Sequence, residues 1–73
     1  MDFGKRLRAV RMNRGLTQQQ TADTAGVSLR VYQNYEQGTR RPTFECLALL
    51  CRLFNVSSDY LLGLSDEERA GGR

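Results

Sequence analysis

The feature that most constrains the fold of this chain is the tripeptide Gly-Val-Ser at positions 26–28, which separates two polar segments of helical character. Gly26 can adopt a positive φ at little cost and therefore ends a helix sharply. The hydroxyl of Ser28 can cap the first turn of the next helix. Because one helix ends and another begins within this tripeptide, the sequence predicts two helices joined by a tight turn.

The helices on either side of this turn are predicted to span Gln18–Ala25 and Leu29–Gln37. Thr17 and Gln20 have the Thr-x-x-Gln spacing of a capping box, which places the start of the second helix at Gln18. The inward positions of the second helix carry only small side chains, so it can cross its neighbour closely. The inward positions of the third helix are predicted at Val31 or Tyr32 and at Tyr35, and the helix ends at Gly38.

Three further helices complete the prediction. Asp2 caps a first helix that stops at Gly15, Thr43 caps a fourth helix, and Ser57 caps a short last helix. The fourth helix is the most apolar segment and is predicted to form the centre of the core. Its expected apolar stripe consists of Phe44, Leu47, Leu50, Cys51 and Phe54.

With 73 residues, the chain is long enough for one domain with a small core. The predicted fold class is all-α, a compact domain of five helices that occupies residues 1–64 and contains a helix-turn-helix. Residues 65–73 contain almost no apolar side chains. We therefore expect them to form a polar, disordered tail.

The basic residues are distributed unevenly along the chain. Residues 1–42 contain eight Lys and Arg against three Asp and Glu, whereas residues 43–73 contain three basic and five acidic residues. Arginine supplies ten of the eleven bases, and its planar guanidinium suits phosphates and guanine edges. This asymmetry predicts an anion-facing first half, although a solvated arginine-rich surface would have the same composition.

The composition argues against an enzyme, a metal site and a membrane segment. The chain has no histidine, no glycine-rich phosphate loop and no nucleophile beside a base, and no apolar run is long enough to span a bilayer. Cys46 and Cys51 lie on different faces of one predicted helix, about 8 Å apart, so an internal disulfide is not expected. We expect a cytoplasmic protein with no cofactor and no evident small-molecule ligand.

Two helices joined by a glycine-containing turn, with the second helix polar on its outer side, are typical of a helix-turn-helix, whose second helix enters the DNA major groove. Arg30 can bind guanine O6 and N7, Asn34 can bind adenine, and Leu29 can contact a thymine methyl group. Five residues are therefore predicted to face bases: Ser28, Leu29, Arg30, Gln33 and Asn34.

Other residues are predicted to bind the DNA backbone. Gln18 lies at a helix N-terminus, which favours a phosphate, and Arg40 and Arg41 form a basic connector. Gln33 can reach either a base or a phosphate. Taken singly, each of these features also occurs in ordinary helical domains, where the arginines are solvated, the tyrosines form core and Glu36 is an exposed acid or pairs with an arginine of the first helix.

The segments "LTQQQTADTAGVS", "YEQG" and "VSSDYLLG", together with Pro42, closely resemble the lambda-repressor-like, XRE-type helix-turn-helix family of bacterial and phage regulators. The similarity covers residues 3–64. It implies that Glu36 pairs with Arg11, which would remove Arg11 from the DNA contacts. It also implies a two-fold homodimer bound to double-stranded DNA, on inverted half-sites about one helical turn apart.

Two residues depart from the pattern of the family. Thr21 stands where a larger aliphatic residue is usual, which predicts looser packing of the second helix. Leu29 replaces a frequent polar residue, so base contacts would depend more on Arg30 and Asn34.

Two functions are compatible with these patterns. The first is a sequence-specific, repressor-type transcriptional regulator that inserts helix 29–37 into the major groove. The alternative is an antitoxin or other protein-interaction module, or the DNA-binding head of a longer regulator, because the acidic second half and the apolar last helix could dock a partner.

Overall fold

The computed structural model describes residues 2–69, and within that range it contains five α-helices and no β-strand. The helices are α1 (Phe3–Asn13), α2 (Gln18–Ala25), α3 (Leu29–Gln37), α4 (Phe44–Phe54) and α5 (Ser58–Leu61). The predicted all-α, five-helix class is confirmed, and α2 and α3 have the bounds expected from the sequence.

Every helix begins with a side chain that accepts a hydrogen bond from the backbone N–H three residues further on. The capping residues are the five expected from the sequence: Asp2, Thr17, Ser28, Thr43 and Ser57. At α2 the capping box is complete, because Thr17 Oγ1 accepts from the Gln20 amide at 3.0 Å and Gln20 Oε1 accepts from the Thr17 amide at 2.9 Å. The helix starts are therefore determined locally.

The turn between α2 and α3 has the predicted geometry. Gly26 adopts a left-handed conformation with φ of 74°. The backbone N–H of Val27 donates to the carbonyl of Ala22 at 3.1 Å, so the end of α2 is hydrogen-bonded, and the Val27 side chain packs against the core. This turn fixes the direction in which α3 leaves α2.

The core lies where the five helices meet, and α2 contributes Ala22 and Ala25 to it. Its fully buried large side chains are Leu7, Tyr32, Leu50, Phe54 and Leu61. The rings of Tyr32 and Tyr35 meet edge to face, with centroids 6.2 Å apart. The tyrosines of α3 therefore belong to the core; of the two candidates for the first inward position, Tyr32 is buried and Val31 only partly so.

The predicted apolar stripe of α4 is wrong at Phe44, whose side chain is 89% exposed. The buried line of α4 runs through Cys46, Leu50 and Phe54, with spacing i, i+4, i+8. Phe44 lies roughly 120° around the helix from Leu50. The stripe expected from the sequence was therefore too wide, and Leu47 and Cys51 are only partly buried at its edge.

Both cysteines are free thiols, and Cys46 is buried. Burial raises the pKa of both thiols.

Thr21, the small residue of α2, is fully buried, and its hydroxyl donates to the carbonyl of Thr17 at 2.9 Å. The polar atom of Thr21 is thus satisfied inside the core.

The segment after α5 returns to α1. Arg14 Nη2 lies 2.9 Å from Glu68 Oε1, and Arg6 Nη2 lies 3.9 Å from Asp66 Oδ1. The domain boundary at residue 64 and the disorder of residues 65–73 stay predictions, and residues 70–73 lie outside the described range. No helix between residues 2 and 69 is long and apolar enough to cross a membrane.

At Gly4, α1 lies very close to the backbone at the end of α3. A Cβ atom at Gly4 would lie 2.9 Å from the carbonyl oxygen of Tyr35 and still closer to that of Glu36. Both obstacles are backbone atoms, which cannot rotate away. Only glycine therefore fits at this position.

We expect Gly4→Ala to destabilise the fold by about 1–3 kcal/mol, because the added methyl group forces α1 away from α3. A glycine-to-alanine change inside a helix ordinarily stabilises the protein by about 0.5–1 kcal/mol. A decrease in the free energy of unfolding would therefore by itself indicate the close contact at Gly4. Urea unfolding measures the effect. Ala9→Gly, at an exposed position of α1, is the control and should cost only the propensity difference. A Gly4→Ala protein as stable as the wild type would contradict the close approach.

Candidate nucleic-acid interface

The first turn of α3 projects from the domain. Ser28 and Arg30 are exposed, and Leu29 is partly buried. Ser28 Oγ accepts from the Val31 amide at 3.1 Å, so the predicted capping role is in place. The side chain of Arg30 has no hydrogen bond or ion pair within residues 2–69. The guanidinium is therefore available to an external acceptor.

The next turn of α3 carries Gln33 and Asn34, both partly buried. Gln33 Nε2 donates to Gln18 Oε1 at 3.2 Å, so two residues predicted separately from the sequence lie side by side. The side-chain amide of Asn34 has no hydrogen-bond partner in the described part of the chain. The outer surface of α3 thus carries the hydrogen-bonded side-chain amide of Gln33 and the unpaired side-chain amide of Asn34.

Arg40 and Arg41 lie in the connector between α3 and α4, and both are exposed. Arg8 on α1 is also exposed, although the sequence patterns assign it no role. Arg8 lines a cleft with five polar residues of the interface: Arg11, Gln18, Gln33, Glu36 and Gln37. Its position three residues before Arg11 on a helix was the signal that could have placed it there.

The Glu36 carboxylate lies at the centre of this region and accepts hydrogen bonds from three side chains. Arg11 Nε lies 2.6 Å from Glu36 Oε2, and the hydroxyl of Tyr32 donates to the same oxygen at 2.6 Å. Gln18 Nε2 donates to Glu36 Oε1 at 3.1 Å, and Arg11 Nη2 lies 3.4 Å from it. We call these four residues the Glu36 network; it joins α1, α2 and α3.

The network is shielded from water. The side chains of Arg11 and Glu36 are only 12% and 4% exposed. Arg11 and Glu36 therefore form the ion pair that the family resemblance implies. Arg11 Nη1 also donates to the carbonyl of Leu16 at 2.8 Å, which anchors the loop before α2.

The charge states of the network follow from these contacts. Burial acts to raise the pKa of Glu36, but hydrogen bonds from Arg11, Tyr32 and Gln18 outweigh it, and the pKa is lowered from its ordinary value. The hydrogen bond to Glu36 raises the pKa of Arg11. Burial and the same carboxylate raise the pKa of Tyr32. Glu36 is therefore ionised and Tyr32 neutral, so the carboxylate can only accept and the hydroxyl donates.

Two other arginines of this region have internal partners, Arg6 on α1 and Arg14 at the C-cap of α1. The guanidinium of Arg6 stacks on the ring of Tyr60, 4.1 Å from its centroid, and donates to the carbonyl of Tyr60 at 3.1 Å. Arg14 Nε donates to the carbonyl of Phe54 at 2.9 Å. These two arginines hold the C-terminal part of the fold.

The charge asymmetry of the sequence therefore overstates the positive charge available to a ligand. Three of the eight basic residues in the first half bind the chain itself, namely Arg6, Arg11 and Arg14. The exposed remainder consists of Lys5, Arg8, Arg30, Arg40 and Arg41. Within residues 2–69, no three His, Cys, Asp or Glu side chains are grouped as a metal site would require.

Comparison with known proteins gives one family for this arrangement. A sequence model described as helix-turn-helix matches residues 7–61, which include α2, the turn and α3.

Among curated proteins, the chain is 40% identical over 65 residues to YobD of Bacillus subtilis, which is named an uncharacterized HTH-type transcriptional regulator, with 89% of this chain and 58% of YobD covered. It is 41% identical over 63 residues to the HTH-type transcriptional regulator ImmR of the same organism, covering 86% of this chain and 50% of ImmR. A cryptic phage CTXphi transcriptional repressor, RstR of Vibrio cholerae, is 33% identical over 54 residues, or 74% of this chain and 49% of RstR. The chain spans about half the length of the curated relatives it matches.

The Glu36 network leads to a prediction of how stability depends on pH. Glu36→Gln removes the negative charge and leaves Arg11 buried without a counter-ion, which should cost about 3–5 kcal/mol at neutral pH. The pKa of Glu36 is lowered on folding. The stabilisation by its ionised carboxylate is therefore complete above the ordinary pKa of 4.5 and is lost as the pH falls through the pKa of Glu36 in the folded protein.

The measurement is the free energy of unfolding of wild type and Glu36→Gln between neutral pH and pH ~3, a range that brackets carboxylate titration. The difference between the two proteins should shrink as the pH falls. Asp23→Asn, which alters an exposed acid of α2, controls for the loss of a negative charge elsewhere. A difference that is constant across the whole pH range would mean that the ion pair contributes nothing to stability.

Proposed function

Because the chain belongs to the helix-turn-helix family, we propose that it is a sequence-specific DNA-binding transcriptional regulator of the repressor type, which inserts α3 into the major groove. The activity is binding, not catalysis, and takes place on DNA in the cytoplasm. The relatives named as transcriptional regulators, and one as a repressor, support this proposal.

The observation that carries the proposal is the contrast between the two sides of α3. The inward side is immobilised by the core through Tyr32 and Tyr35. On the outward side, Arg30 and Asn34 have side chains without a partner in the described chain. A helix of about 10–12 Å diameter fits a major groove about 12 Å wide, so such side chains could reach base edges.

The assignment of individual contacts belongs to the same proposal. Arg30 binds guanine, Asn34 binds adenine, Leu29 contacts a thymine methyl group and Ser28 contacts a base or a phosphate. The backbone contacts come from Arg40 and Arg41, with Gln18 at the N-terminus of α2 and Arg8 beside it. The exposure of the four arginines supports these roles.

We also propose that the protein binds an inverted repeat as a two-fold homodimer, with half-sites about one helical turn of DNA apart. Large exposed apolar side chains are available for such a contact, among them Phe44 at 89% and Leu64 at 75% exposure. Light scattering tests the dimer by its mass, and selection from a random duplex pool at two salt concentrations tests the inverted repeat.

A second candidate function is a protein-interaction module such as an antitoxin. One observation favours it, a shallow and mainly apolar cleft on α4 lined by Phe44, Leu47, Ala48, Cys51, Arg52 and Ser58. Co-purification of a stoichiometric partner with no enriched DNA motif would favour this candidate. A homodimer that selects an inverted repeat would favour the regulator.

For the regulator, Arg30→Ala should weaken binding to the selected site by about 1–3 kcal/mol and relax the preference at one base pair, because a guanine contact is lost. Arg41→Ala is the matched control. It should weaken binding to all duplexes alike and reduce the salt dependence by about one phosphate contact. Fluorescence anisotropy on the selected site and its single base-pair variants measures both. An equal loss on every sequence for Arg30→Ala would make Arg30 a phosphate contact instead.

A further inference from the structure

We infer that Gln33 binds the major-groove edge of an adenine, and that Gln18 and Glu36 act as positioning residues that hold the Gln33 amide with its oxygen directed outward. The inference rests on the proposed DNA binding and deepens it. It identifies a specificity-determining residue and the base that it selects.

The first step is the chemistry of the Glu36 carboxylate. It is paired with Arg11 at 2.6 Å and is almost completely buried. An ionised carboxylate has only acceptor atoms. The Gln18 group that faces it must therefore be the NH2 group, and Nε2 of Gln18 lies 3.1 Å from Glu36 Oε1.

The orientation of the Gln18 amide then determines the orientation of the Gln33 amide on α3. With Nε2 of Gln18 turned towards Glu36, its Oε1 is left on the other side of the amide. That oxygen accepts from Gln33 Nε2 at 3.2 Å. A Gln33 amide turned the other way would bring two carbonyl oxygens together, which is repulsive. The charge on Glu36 thus orients two amides in series.

The side-chain amide of Gln33 keeps one acceptor and one donor that could bind a ligand. Its Oε1 accepts no hydrogen bond within residues 2–69, and one hydrogen of Nε2 remains unused. An acceptor beside a donor matches adenine, which presents the N6 amino group as donor and N7 as acceptor. A phosphate or a guanine O6/N7 edge has acceptors only and would leave Gln33 Oε1 unpaired.

The position of Gln33 supports a base contact. It lies three and four residues after Arg30 and Leu29, so the three side chains project from the same side of α3. Leu29 has no polar atom and cannot select a base by hydrogen bonding. Gln33, one turn further along, supplies a polar contact on that side of the helix.

The test starts from the duplex that the wild-type protein selects from a random pool. Each adenine of the half-site is replaced in turn by purine, which lacks the 6-amino group, and by 7-deazaadenine, which lacks N7. Binding of wild type, Gln33→Ala, Gln18→Ala and Arg41→Ala to each duplex is measured by fluorescence anisotropy at constant salt. The base analogues leave the protein unchanged, so an effect on wild type cannot come from misfolding.

At one adenine, both analogues should weaken wild-type binding. Gln33→Ala should bind the natural site about 5- to 150-fold more weakly, as expected for one bidentate base contact, and should no longer respond to the analogues there. At the same adenine, the two analogues should weaken the binding of Gln18→Ala less than that of wild type. They should weaken the binding of Arg41→Ala as much as that of wild type. A merely structural role for Gln18 would lower affinity without changing the response to the analogues.

The inference is overturned if Gln33→Ala keeps the wild-type response at every adenine, or if it loses affinity equally on all duplexes, as a phosphate contact would. Both results leave the proposed DNA binding intact, because a selected motif exists. If the wild-type protein enriches no motif at all, the proposed sequence-specific function fails and the role of Gln33 fails with it.

Discussion

The Glu36 carboxylate is the interaction on which the arrangement of the first three helices depends. It accepts from Arg11 of α1, Gln18 of α2 and Tyr32 of its own helix, and it is almost inaccessible to water. A buried charge with fewer partners would destabilise the fold, so the three helices must adopt the one arrangement that supplies all its donors. The network that holds the fold also lies directly behind the residues proposed to contact DNA, which links stability to recognition.

Arginine has two separate tasks in this small domain. Arg6 and Arg11 on α1 and Arg14 at its C-cap bind carbonyl groups, carboxylates or a ring of their own chain. Arg30 and the connector arginines point to solvent. The guanidinium suits both tasks because its five donors can satisfy several acceptors in a plane. Net charge alone therefore does not measure the positive surface available to DNA.

The sequence was sufficient where structure depends on nearest neighbours. The caps and Gly26 act within one turn of helix, so the bounds of α2 and α3 could be predicted. It was insufficient where the outcome depends on which surface another element covers. Phe44 has the periodicity of a core residue but is not covered by any other part of residues 2–69, and Arg6 binds Tyr60, which is distant in sequence. The amide chain from Gln18 to Gln33 likewise requires the angle between α2 and α3, which no local pattern specifies.

We propose that the outer side of α3 and the basic connector form the DNA-binding surface. The most direct measurement is an amide chemical-shift titration of the 15N-labelled protein with its selected duplex. We expect the largest changes on residues 28–34 and 40–41 and little change on the exposed side of α4 around Phe44. Large changes confined to α4, with residues 28–34 unaffected, would contradict it.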